Sequence, residues 1–148
     1  MRVRALLIVV PLIAVVASGC GDGKLVASPT ASGHTPTPTT PTGVDLSKAA
    51  FVDDTKSPNL AVNAIDNLFK DQYVTVKAGT KVTFRNDGRN EHNVLPVVGT
   101  EFKGVKTQDF EPGTEYTVTF AEPGDYPYYC SLHGTLTKGM TGAIRVVK

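Results

Sequence analysis

The stretch YVTVKAGTKVTFRN, Tyr73 to Asn86, decides the fold class. Its first five residues, YVTVK, alternate, and so do the last six, KVTFRN. A period of two sends successive side chains to opposite faces of a strand. Val82 and Phe84 are therefore predicted to point inward, and Lys81, Thr83 and Arg85 outward. Between the runs Ala78-Gly79-Thr80 supplies a turn, so the stretch reads as strand, turn, strand.

The same pattern continues on both sides. Leu60, Val62 and Ala64 alternate with Ala61, Asn63 and Ile65. Asp87-Gly88 is a turn signal. HNVLPVV, His92 to Val98, is apolar enough for a strand, with Pro96 pointing to an edge or a bend. EYTVTFA, Glu115 to Ala121, alternates; Glu122-Pro123-Gly124 turns; DYPYYC leads to Cys130; GAIRVVK makes a last strand. LSKAAF, Leu46 to Phe51, fits either a short helical turn or an edge strand. No window has a helical period and no internal repeat is evident. Short strands at a spacing of ~8–12 residues with Gly and Pro turns predict an all-β, Greek-key β-sandwich. The domain expected is 45–148, long enough for one core.

The residues before it read differently. Arg2 and Arg4 precede ALLIVVPLIAVVA, Ala5 to Ala17, which has no charge, and small Ser18 and Gly19 follow. A spanning helix needs ~20 apolar residues. Residues 1–19 are therefore expected to be a signal peptide. ASGC, Ala17 to Cys20, resembles the lipobox of bacterial lipoproteins, which implies a lipidated Cys20 on the outer face of the cytoplasmic membrane. Acyl chains at ~0.8 kcal/mol per buried methylene would anchor it stably. Residues 20–44 are expected to be a flexible linker, because SPTASGHTPTPTTPTG, Ser28 to Gly43, has almost no apolar side chain to bury. His34 lies within it and is excluded as a ligand.

Charge excludes one class of partner. Without Arg2 and Arg4, 13 basic residues face 14 acidic ones, and no basic run interleaves with aromatics. Nucleic acid is not an expected partner. With Cys20 lipidated, Cys130 has no disulfide partner within the chain. A free thiol in an oxidising compartment calls for burial or a metal.

Cys130 does not stand alone. YYCSLHGTLTKGM, Tyr128 to Met140, holds Cys130, His133 and Met140 on one strand-to-strand loop, and His92 arrives from a separate strand entry. A Cys-x-x-His spacing lets thiolate and imidazole converge on one point. Each residue alone is an unspecific signal. Together, two His and one Cys with a weak Met form the ligand set of a blue-copper electron-transfer centre.

From Asn59 to Lys148 the chain resembles the cupredoxin family, and within it the plastocyanins and small bacterial blue-copper proteins. VTVKAGTKVTFRN looks like the strand-turn-strand before the first His ligand, and EHNV, Glu91 to Val94, like the site of that ligand. FAEPGDYPYYCSLHG, Phe120 to Gly134, looks like the approach to the Cys and second His, and GMTGAIRV, Gly139 to Val146, like the Met with the closing strand. The resemblance implies His92, Cys130 and His133 as equatorial ligands and Met140 as the axial one. Six residues separate His133 from Met140, more than in plastocyanins. They either bulge outward between Gly134 and Gly139 or displace the sulfur. Asn93 is placed to tie the His92 loop to the Cys130 loop by hydrogen bonds, and the resemblance implies the same.

The function expected is single-electron transfer between redox partner proteins at the membrane's outer face, by one copper ion cycling between Cu(I) and Cu(II). His133 is expected to show its ring edge to solvent, with Leu132 and Leu136 flanking it as a docking patch. The protein is expected to be a monomer and no enzyme: the sequence has no Ser/His/Asp set and no phosphate-binding glycine loop. A dinuclear copper centre needs a second Cys on the ligand loop, and copper nitrite reductases and multicopper oxidases need more domains and more His. The remaining alternative is a module for copper storage, buffering or delivery.

Overall fold

Residues 43–148 are described by the computed structural model. The expected signal peptide 1–19, Cys20, His34 and all but the end of the linker 20–44 lie outside the described residues. Among the described residues there are nine strands: β1 (Val52–Asp53), β2 (Asn59–Ile65), β3 (Leu68–Lys70), β4 (Tyr73–Lys77), β5 (Thr80–Asn86), β6 (Leu95–Pro96), β7 (Glu115–Phe120), β8 (Gly124–Gly134) and β9 (Gly139–Val147). They form an all-β sandwich. One sheet has five strands in the order β1-β4-β9-β8-β6, and the other four in the order β3-β2-β5-β7.

The alternation in β4 and β5 is what places their core residues. Val74 and Val76 are buried in β4, and Val82 and Phe84 in β5, with Lys81 and Arg85 exposed between. Gly79, at φ +90°, makes the turn, and Thr80 already belongs to β5 as a buried residue. Because β4 and β5 belong to different sheets, the turn crosses from one layer to the other. Val62 and Ala64 of β2 join them in the core, and Tyr128 of β8 fills its centre. The Tyr128 ring meets Phe69 and Phe84 edge-on, with centroids 5.0 and 5.1 Å away. This is the geometry ring quadrupoles favour, and it fixes the distance between the sheets beneath Cys130.

The structure departs from the sequence reading in several places. LSKAAF takes the first of its two expected forms, and strand begins only beyond it. Asp45 caps a single 3-10 turn, Leu46–Lys48, by accepting from the Ser47 amide at 3.0 Å, and the edge strand β1 follows. HNVLPVV contributes only Leu95–Pro96 as strand. Pro96 has no N–H to donate, and β6 accordingly lies at the sheet edge. β3 was not read in the sequence; it folds back on β2 through Asp66-Asn67, with Asp66 at φ 52°. Finally, Cys130, His133 and Met140 do not share a loop. β8 continues through His133 to Gly134, and β9 already begins at Gly139. The cause is the Gly134–Gly139 pairing, which needs a backbone approach closed to larger residues: a Cβ on Gly134 would stand 2.7 Å from the Met140 amide nitrogen.

Candidate metal centre

The site occupies a fault in the β8–β9 ladder. Tyr129 pairs with Thr141, and the next pair is Gly134 with Gly139. Between these pairs β8 spends four residues, Cys130 to His133, against the single residue Met140 of β9. A bulge of this kind detaches side chains from strict alternation and re-aims them. It lets Cys130 and His133, three positions apart, turn to one point. The extra residues after His133 extend the hairpin beyond the Gly134–Gly139 pair. Thr135 donates its amide to the Lys138 carbonyl at 2.8 Å, closing the tip. Met140 stays buried in the same cluster as Cys130.

His92 comes from the connection between β5 of the four-stranded sheet and β6 of the five-stranded sheet. After β5 the amides of Asp87 and Gly88 both donate to the Ala64 carbonyl, at 3.1 and 3.0 Å, and this turns the chain. Asn86, fully buried, donates through Nδ2 to the carbonyls of Phe110 at 2.9 Å and Asn90 at 3.1 Å. These bonds fix the segment that delivers His92. Asn93 then spans the two halves. Its Nδ2 donates to Ser131 Oγ at 2.9 Å and Thr107 Oγ1 at 3.1 Å, and its Oδ1 accepts the Ser131 amide at 2.9 Å. Ser131 follows Cys130 directly, so Asn93 binds the two ligand-bearing segments together.

The donor atoms of His92, Cys130 and His133 lie within 4.8 Å of one another. Cys130 Sγ stands 3.7 Å from Nδ1 of each imidazole. Metal–nitrogen and metal–sulfur bonds of ~2.0 and ~2.3 Å meeting at an open angle span such a gap. His92 and Cys130 are fully buried, and His133 is half-buried. Burial lowers the pKa of His92 and the charge of His133 lowers it further, against a smaller opposing effect of Asp66. His92 is thereby kept neutral, the form that ligates. Its Nε2 has no hydrogen-bond partner among the described residues.

Of the other residues singled out in the sequence, Leu132 is 50% exposed beside His133. Leu136 sits at the hairpin tip and is half-buried. Cys20 lies outside the described residues. Asn86, Ser131 and Thr107 were missed. Ser131 carried a signal, as the small polar residue after Cys130. Asn86 ends its strand before a turn, where Asn is common, and Thr107 carried none.

Residues 59–147 match the sequence family of copper binding proteins, plastocyanin/azurin family. A plastocyanin A'/A'' of Nicotiana tabacum is 34% identical over 82 residues, which are 49% of this chain and 80% of that one. A chloroplastic plastocyanin of Physcomitrium patens is 35% identical over 80 residues, 49% of this chain and 46% of that one. The chain thus spans about half the length of several plastocyanins it matches. Among solved structures, a Cu(I) form of an amicyanin variant superposes with a TM-score of 0.52 at 25% identity, over 64% of this chain and 87% of that one. The purple cupredoxin of Nitrosopumilus maritimus gives a TM-score of 0.51 at 20% identity, over 60% of this chain and 99% of that one.

Proposed function

The chain belongs to the copper-binding plastocyanin/azurin family, and from that premise we propose that it is a blue-copper electron carrier serving redox partner proteins at the outer face of a membrane. The observation that carries this reading is the convergence of one thiol and two imidazoles within 4.8 Å, in a site half closed to water. The donor set fits one copper ion. His92, Cys130 and His133 would hold it, with Met140 as a weak, soft fourth donor. Copper bound there supplies a one-electron couple between Cu(I) and Cu(II).

The protein's part is to hold the donors still. A carrier reacts fast when its ligands need not move between oxidation states. Asn86 and Asn93 hold the His92 and Cys130 segments by backbone and side-chain bonds that do not depend on a metal. His133 differs in being partly open to solvent. With the exposed Leu132 and the half-buried Leu136 nearby, it offers a partner a patch that desolvates easily. Copper storage or delivery is the second reading. The full burial of His92 and Cys130 favours the carrier, because handing over an ion ligand by ligand needs accessible donors.

Anchoring by a lipidated Cys20 is part of the proposal, supported by the ASGC sequence after an apolar run. A monomer is the expected state, with no nucleic acid bound. The test is to load the full chain with Cu(II) and titrate it with reductant. Intense visible absorption that bleaches with one electron per chain supports the carrier. Copper binding without colour overturns it. Transfer of Cu(I) to a moderate chelator within minutes, with slow electron exchange, would establish delivery instead.

A further inference from the structure

Three buried apolar side chains, Leu46, Val97 and Ala143, do not belong to the main core cluster. Their strand positions say where they are. In β9 Met140, Ile144 and Val146 face the core. Alternation therefore turns Thr141 and Ala143 to the outer face of the five-stranded sheet. Ala143 pairs with Pro127, and the Val97 amide donates to the Pro127 carbonyl at 3.0 Å, so Val97 lies beside them. An outer face is normally wet, yet Val97 and Ala143 are fully buried and Thr141 is 3% exposed.

Gln72 covers part of this face, donating through Nε2 to Thr141 Oγ1 at 3.3 Å and accepting the Ala143 amide at 2.9 Å, and the segment 43–53 lies over the ground on either side. At one end Gly43 lies against Val97 and the hairpin tip: a Cβ there would be 2.7 Å from Val97 Cγ1 and 3.3 Å from the Leu136 carbonyl oxygen. In the middle Leu46 is buried. Further on, the Phe51 ring lies 5.7 Å from Tyr73 and 3.9 Å from the guanidinium carbon of Arg145, which grips Asp125 of β8 with two bonds at 2.7 and 3.0 Å. At the far end β1 joins β4. The family match covers 59–147, so the whole of this strap precedes the matched region.

We propose that the strap 43–53 is a positioning element of the metal centre. It clamps β9 from outside through Phe51 on Arg145, and braces the hairpin tip through Gly43 at Leu136. Met140 is the donor it controls most. The segment of His92 is held by Asn86 and Asn93, without the strap. The inference rests on the metal-centre reading for its second readout only.

The test uses the full chain with Leu46→Ala and Phe51→Ala, separately and together. The first readout is amide hydrogen exchange in the metal-free protein. Exchange at residues 139–143 and at the Thr135 amide should quicken by about tenfold or more, while β2 and β5 keep their protection. The second readout is the copper-loaded protein, where reduction potential and absorption maximum should both shift and the colour remain. Faster exchange confined to residues 43–53, or an unchanged potential and spectrum in the double variant, overturns the proposal. If the double variant unfolds, Leu46→Ala alone decides by the same criteria. A wild-type chain without colour would defeat the blue-copper reading and leave the exchange experiment to judge the strap.

Discussion

His92 and His133 bring the same ring to the same point by different means. His92 is fully buried, and its segment is pinned on both sides by Asn86 and Asn93. His133 is half-buried and stands in the irregular part of β8, one residue before the Gly134–Gly139 pair. The first arrangement preserves geometry, and the second gives access. A centre that exchanges electrons needs one side that does not yield and one side that meets a partner.

Cysteine is common to both halves, so Cys130→Ser should have the largest effect. Copper-loaded protein should lose its visible absorption entirely. Next come the two imidazoles. His133→Gly should leave a gap open to solvent, and added imidazole should restore colour. His92→Gly should leave a closed gap that imidazole fills slowly or not at all. Equal rescue of both, followed by absorption spectroscopy, would erase the distinction.

The pinning bonds rank third. Asn86→Ala leaves the buried Phe110 carbonyl unpaired and releases the exposed Asn90, and Asn93→Ala removes the tie between segments. Each buried group left unpaired costs ~1–3 kcal/mol. Urea unfolding of metal-free protein should therefore show a loss of about 1–3 kcal/mol for Asn86→Ala, and less for Asn93→Ala, which is nearer the surface. Fourth, burial gives His92 a pKa below its ordinary value. The unfolded chain then holds this proton more tightly than the folded one. Stability should be complete above about pH 6.5 and fall as pH drops through that value towards the folded one. Metal-free stability that stays flat from about pH 7 to pH 5 would contradict the assignment. The smallest effect belongs to the accessible side. Leu132→Glu should slow electron exchange between molecules several-fold and leave colour and stability unchanged, since charge on a docking patch acts on encounter.

How much of this could be read in the sequence depends on distance along the chain. β4, β5 and β7 were legible because alternation is local. β3 has three residues, too few to show a period, and its turn through Asp66-Asn67 was the only cue. The ligand set was legible because Cys, His and Met are rare here and their chemistry restricts their uses. The bulge was not, since a strand that spends four residues against one looks in sequence like a strand ending in a loop. Nor was the role of 43–53. Whether Leu46 and Phe51 are covered or exposed is decided by the outer face of a sheet whose strands follow up to a hundred residues later.

The place of β9 bears on how the chain is made. This strand, synthesised after all the others described, lies in the five-stranded sheet between β4 and β8, running parallel to one and antiparallel to the other. Until residue 147 has left the ribosome, β4 and β8 each present an unpaired edge and the core lacks Met140, Ile144 and Val146. The nascent domain therefore cannot close early, and its folding must wait for a pairing between distant segments, which is slow. A chain held open in this way until β9 is made keeps the extended form that the export proposed above would require.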